Sequence, residues 1–250
     1  MGEPHGHTLH FHGHSLIHRL PAWAKILALV AFMLVVVATP RDAWSSYAVY
    51  AILLGIAVAI SRVPLGFLLP RMVIEVPFLI FAATMPLVAH GPRVEVLGMS
   101  LSQEGLVGAG ALLAKGTLGV VAALLLGATT ELRDFLGGLQ RLRVPSQIVE
   151  ILAFMLRYLT VMLDDLRRMR IAQQARGFRA RNVRQWPTQA RTIGALFVRS
   201  YERGERVHRA MLARCYTGSL PVYDARAVTA DWRLAMVLPV SALLAAMVLR

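Results

Sequence analysis

Residues 104–129 read EGLVGAGALLAKGTLGVVAALLLGAT, a run of 26 in which Glu104 and Lys115 carry the only charges. As a helix rising ~1.5 Å per residue it would extend about 39 Å, more than the ~30 Å of hydrocarbon in a bilayer. A helix on the surface of a soluble protein keeps a polar stripe. This run has none, so it is read as a membrane span. Four further apolar runs flank it: Ala22–Ala38, Tyr47–Ile60, Met72–His90 and Trp232–Leu249. The chain is 56% hydrophobic over 250 residues, with a mean hydropathy of +0.56. Soluble domains average ~45–50% apolar residues. The predicted fold class is all-α: a polytopic membrane helical bundle of about five spans with a cytoplasmic region of amphipathic helices.

Details within the spans refine this picture. Lys25 lies near the start of the first span, where its ammonium can snorkel to the interface. That span lacks a small-x-small cleavage site before Thr39-Pro40-Arg41-Asp42 and is read as retained. Trp44, Tyr47 and Tyr50 are expected as interfacial aromatics. Pro77 and Pro86 interrupt the third span, and Val94, Val96 and Met99 suggest a short hairpin in the connection at 91–103. In the fourth span Gly105/Ala109, Gly110/Ala114 and Ala123/Gly127 are small residues four apart. That spacing serves close packing within the chain's own bundle or against a partner helix. Glu75 and Lys115 are ionisable groups at depth with no partner nameable from sequence.

Charged residues make up only 16% of the chain, yet the net charge is +13. Eighteen arginines fall within residues 130–231. In a membrane protein such clustering follows from how helices insert, with arginine and lysine retained in the cytoplasm, so no nucleic-acid partner is inferred. The organisation is therefore read as residues 1–21 (N-terminus, cytoplasmic), 22–129 (four spans), 130–231 (cytoplasmic helices) and 232–250 (last span). The N-terminal segment holds His5, His7, His10, His12 and His14, a spacing that can bind a transition metal but equally suits a polar terminus. Cys215 is the sole cysteine, so no internal disulfide forms. No phosphate loop and no nucleophile-base constellation is present, which excludes an ATPase of the familiar kind.

The arginine-rich region predicts three helices. The first covers Glu131–Leu142. The second, N-capped by Ser146, runs to Ala175 with one apolar face: Ile148, Ile151, Leu152, Met155, Leu159, Met162, Leu163, Leu166 and Met169. The third runs from Thr188 to Ala213, its smaller or apolar face being Ile193, Leu196, Phe197, Ser200, Gly204, Val207 and Met211. Glu202/Arg206 and Glu205/Arg209 form favourable pairs four apart. The last two helices both end in Ala-Arg followed by a small residue: Ala175-Arg176-Gly177 and Ala213-Arg214-Cys215.

With these two endings after four spans, the chain resembles the transmembrane T component of energy-coupling-factor transporters. Ala210-Met211-Leu212-Ala213-Arg214-Cys215-Tyr216-Thr217-Gly218 and the histidine-rich start resemble most its cobalt/nickel subtype. The resemblance implies a non-catalytic subunit of an ATP-driven importer in a bacterial cytoplasmic membrane. It also implies two ATPase subunits that bind the arginine motifs and hydrolyse ATP, a substrate-binding membrane subunit, an optional small accessory membrane protein, and no cofactor on this chain. Cys215 departs from the family's glycine, which leaves the cap geometry open and makes Gly218 an alternative terminator of the turn. Another micronutrient or vitamin as cargo stays open. A lipid phosphotransferase is the weaker rival: Asp164-Asp165 lacks the following Asp-Gly and the second aspartate pair.

Overall fold

The computed structural model describes residues 15, 17–64, 66, 69–89, 92–96, 99–178, 186–216 and 233–248. The helices are α1 (Ala22–Ala38), α2 (Trp44–Ser61), α3 (Val76–Val88), α4 (Gln103–Thr129), α5 (Leu132–Arg141), α6 (Ser146–Ala175), α7 (Trp186–Leu212) and α8 (Arg233–Val248). A 3-10 turn, Leu69–Glu75, precedes α3, and a hairpin of β1 (Arg93–Val96) and β2 (Met99–Ser102) joins α3 to α4. The hairpin pairs Arg93 with Ser102 and Val96 with Met99, antiparallel as expected. The chain forms two compact units, residues 1–138 with 224–250, and residues 139–223.

The first unit has its core where α1, α2, α4 and α8 meet. Phe32 and Val36 pack with Tyr47, Tyr50, Leu54 and Val58, with Leu118, Ala122 and Leu125, and with Ala242. Tyr50 meets Phe32 edge-on at 6.2 Å and Tyr47 at 6.3 Å, a favoured geometry for aromatic pairs. Tyr47 and Tyr50 are thus buried core residues rather than interfacial anchors. Large aliphatic and aromatic side chains point outward instead, among them Leu34, Ile52, Leu79, Phe81 and Leu244. Apolar residues left uncovered on all sides of a bundle are what a lipid solvent allows. Pro77 does not interrupt its span: it sits in the first turn of α3, where a missing N–H costs nothing. By length and composition Trp44–Ser61, Pro70–Val88, Gln103–Thr129 and Ser146–Ala175 can each cross a membrane, and α1 and α8 are shorter apolar helices.

The ionisable groups at depth have partners after all. Lys115 on α4 donates to the carbonyls of Val37 at 2.8 Å, in the last turn of α1, and Thr39 at 2.9 Å, just past it. Lys25 on α1 donates to the Thr129 carbonyl at the end of α4, 2.7 Å away. Its side chain does not snorkel, being 8% exposed. The two helices run antiparallel, and each ties the other's C-terminal carbonyls, groups that have no intrahelical donor. The Tyr47 hydroxyl lies 3.0 Å from the Pro40 carbonyl and completes the end of α1. The Thr117 hydroxyl bonds the buried Glu75 carboxylate.

The small residues divide by role. A methyl group on Gly105 would come within 2.7 Å of the Pro86 Cα and 2.8 Å of the Met85 carbonyl, so α3 and α4 touch backbone to backbone there. The Trp44 ring occupies the space beside Gly110. Among the described residues a methyl group on Gly127 would meet nothing within 4 Å, and Ala123 is exposed, so this pair makes no close helix contact there. Gly105→Ala is therefore expected to lower stability by about 1–3 kcal/mol through overpacking, while Gly127→Ala is neutral or slightly stabilising. Unfolding midpoints in detergent would check this, and equal midpoints for the two variants would refute it.

Candidate functional site

The second unit is built on α6 and α7. Four side-chain contacts join them: Gln173 with Thr192, Asp165 with Arg203 at 2.8 Å, Met162 with Ser200, and Glu150 with Tyr216 just past the end of α7 at 2.6 Å. Gln173 near the end of α6 meets the start of α7, and Glu150 near the start of α6 meets the residue just past the end of α7, so the pair is antiparallel. The predicted Glu202–Arg206 and Glu205–Arg209 pairs are present at 3.9 and 3.1 Å, both exposed. Ser146 is the first residue of α6 rather than its cap; Pro145 precedes the helix and makes no side-chain bond.

The apolar faces differ from expectation. On α6, Leu152, Met162, Leu166 and Met169 are half-buried, whereas Ile148, Ile151, Met155, Leu159 and Leu163 form an exposed stripe. On α7 the covered line runs through Thr192, Leu196, Ser200, Arg203, Val207 and Met211, while Ile193, Phe197 and Gly204 face outward. Sequence periodicity missed Thr192 and Arg203 because their burial is offset by partners on α6, which apolar spacing does not register. The one available signal was Asp165, an acidic residue flanked on its helix face by Met162 and Met169.

Both arginine motifs close in the same way. At the end of α6 the Gly177 amide donates to the Gln174 carbonyl at 2.9 Å and the Phe178 amide to Gln173 at 3.0 Å. At the end of α7 the Cys215 amide donates to Leu212 at 3.0 Å and the Tyr216 amide to Met211 at 3.1 Å. This is the Schellman pattern, whose capping residue takes the left-handed conformation. Gly177 has φ 77° and Cys215 φ 61°. Cys215 therefore fills the glycine position itself; Gly218 lies outside the described residues. Arg143, φ 60°, caps α5 in the same way, through Arg143 to Gln140 and Val144 to Leu139.

The two turns present equivalent surfaces. Ala175, Arg176 and Gly177 are exposed, as are Ala213, Arg214 and Cys215, while the following aromatics Phe178 and Tyr216 are half-buried. Among the described residues neither guanidinium has a hydrogen-bond or ion-pair partner. The second turn sits beside Glu150 and the first just past Gln173, positions roughly 35 Å apart along α6 at 1.5 Å per residue. Two exposed guanidinium forks, carried on closed turns at opposite ends of one helix pair, have the chemistry to bind a carboxylate or backbone carbonyls. Among the described residues no group of three metal-ligating side chains exists. His5, His7, His10, His12 and His14 lie outside the described residues.

Apolar helices stripped of a polar face, with an arginine-rich helix pair in the second unit, define a multi-pass membrane protein. Comparison with known proteins narrows this. The family model for cobalt transport protein (CbiQ) matches residues 13–223. The cobalt transport protein CbiQ of Rhodobacter capsulatus is 31% identical over 190 residues, 76% of either chain. The energy-coupling factor transporter transmembrane protein EcfT of Thermosediminibacter oceani is 25% identical over 222 residues, 82% of either chain. An uncharacterized protein of Methanocaldococcus jannaschii is 25% identical over 215 residues, 82% of this chain and 73% of that one. The chain belongs to the cobalt transport protein family, the transmembrane components of energy-coupling-factor transporters.

A Cβ in the left-handed region costs ~1–2 kcal/mol that glycine avoids, less glycine's own entropy cost of about 0.5–1. Cys215→Gly is thus expected to stabilise the second turn by up to about 1 kcal/mol, read as slower amide exchange at residues 214–216; faster exchange would refute the assignment. Donation to the Glu150 carboxylate raises the Tyr216 phenol above its ordinary value. The bond then holds below the ordinary tyrosine value of ~10 and is lost as pH rises through the raised one. In a phenolate absorbance titration Tyr216 should therefore ionise at lower pH in Glu150→Leu than in the unsubstituted chain, and an unchanged titration would refute the bond.

Proposed function

We propose that this chain is the coupling subunit of an ATP-driven importer of cobalt ions, with nickel as the nearest alternative cargo. The observation that carries the proposal is the pair of matching arginine turns at opposite ends of one antiparallel helix hairpin. Paired ATPase subunits of a symmetric assembly offer two like surfaces, and a ligand for both needs two like contacts. Arg176 and Arg214 each dock on one ATPase, with Ala175, Gly177, Ala213 and Cys215 keeping the turn narrow enough to enter a groove. ATP binds and is hydrolysed on those partners; this chain supplies no catalytic group and binds no cofactor.

Closure of the ATPases pulls the turns together or apart, and the helix pair carries that motion to a substrate-binding membrane subunit. The exposed stripe Ile148, Ile151, Met155, Leu159 and Leu163 is the apolar surface through which it does so. The arginine excess of residues 130–231 supports a cytoplasmic position for that region and for the N-terminus. The cobalt assignment rests on the family description and on the Rhodobacter capsulatus relative. A metal role for the histidines at 5–14 fits the same cargo, as a first capture point.

Arg176→Glu and Arg214→Glu test the reading. Each reversal is expected to lower recovery of the ATPase with this chain by tenfold or more, corresponding to at least ~1.4 kcal/mol, and the double reversal to abolish cobalt uptake by cells. Undiminished uptake with both arginines reversed would overturn it.

A further inference from the structure

Two of the four side-chain contacts between α6 and α7 lie at the arginine turns. On these helices of 30 and 27 residues, only Val149 and Glu150 on the first and Thr192 on the second are buried. Two of the three are polar, and both are anchors. Gln173, whose carbonyl accepts the amides of Arg176 and Phe178, holds Thr192 in the first turns of α7 through its side-chain amide. Tyr216, whose amide closes the second turn on the Met211 carbonyl, donates its phenol to Glu150 in the first turns of α6 at 2.6 Å. Each arginine turn is thus tied to the beginning of the opposite helix. Between them stands the Asp165–Arg203 ion pair. The sequence difference between the turns matches the arrangement. Phe178 has no hydroxyl to donate, so the first tie is made from Gln173, whereas Tyr216 makes the second tie directly.

We infer that Glu150–Tyr216 and Gln173–Thr192 are two clasps that fix the separation and facing of the arginine turns, making Glu150, Thr192, Gln173 and Tyr216 positioning residues for coupling. The inference rests on the coupling function proposed above. A thin helix pair with little apolar burial would otherwise splay when pulled at its ends, and ATPase motion would be absorbed as bending. Paired polar groups resist this because a hydrogen bond is directional and is lost when the helices part. The clasps do not touch the ATPase, so their loss leaves docking intact and reduces what docking accomplishes.

The test uses the whole transporter, this chain with its ATPase and substrate-binding subunits, reconstituted in proteoliposomes. Cobalt uptake and ATP hydrolysis are measured on the same preparation. Spin labels on Arg170→Cys and Arg209→Cys, in a Cys215→Gly background, report the distance between the two helix ends. Tyr216→Phe combined with Thr192→Val is expected to retain the ATPase on purification, broaden the distance distribution, and lower cobalt imported per ATP about fivefold, the lower range of measured couplings. Tyr216→Phe alone, which removes one oxygen atom, gives a smaller loss in the same direction and serves if the double variant is poorly folded. Glu150→Gln keeps an acceptor for the phenol and should preserve the ratio, whereas Glu150→Leu should not. An unchanged distribution and ratio in the double variant, or in Tyr216→Phe where that alone is measurable, would overturn the clasps. So would equal behaviour of Glu150→Gln and Glu150→Leu. Loss of the coupling function itself would register differently, as an unsubstituted chain that recovers no ATPase.

Discussion

A helix end inside a membrane has carbonyl groups with no donor of their own and no water to supply one. The first unit is organised around that deficit. Lys115 serves the carbonyls of Val37 and Thr39, and Lys25 serves that of Thr129. Because each lysine belongs to the other's helix, α1 and α4 are set antiparallel and in register. Tyr47 then reaches Pro40, Thr39 meets Tyr50 at 3.0 Å, and the tyrosines so fixed become the polar-tipped heart of the core. Two cations that would be costly alone in hydrocarbon are held by the groups that most need them.

In the second unit the same deficit is met differently. The ends of α5, α6 and α7 fold their own backbone back on themselves through a left-handed residue, so no side chain is needed for capping. Arg143, Gly177 and Cys215 adopt equivalent conformations despite their different side chains. The consequence bears on the proposed coupling function. An arginine that is not consumed in capping its own helix remains available to another protein, and both Arg176 and Arg214 stand in that position.

The two units also differ in what holds them together. The first packs four helices around aromatic and aliphatic side chains and leaves its large apolar residues to the lipid. The second has three buried residues on its two long helices and relies on paired polar groups. Polar pairs are directional, so they specify one relative placement of two helices where sliding apolar faces would allow several. For the coupling role proposed above that is an advantage, since compliance along the helix pair would dissipate the stroke.

The sequence by itself determined the apolar runs, their all-helical membrane character, the Glu202–Arg206 and Glu205–Arg209 pairs and the two Ala-Arg endings. Each of these depends on residues a few positions apart, whose relation the helix period sets before any tertiary contact forms. Only the tertiary structure decided the partners of Lys25, Lys115, Glu75 and Glu150, which lie 104, 76, 42 and 66 positions away. It also decided that Tyr47 and Tyr50 are core, that Thr192 and Arg203 lie on the covered face of α7, and that Cys215 accepts a conformation usually left to glycine. Periodicity states which face of a helix is apolar. Which group on a distant helix will offset the burial of a charge or the strain of a cap is settled only when the two helices are brought together.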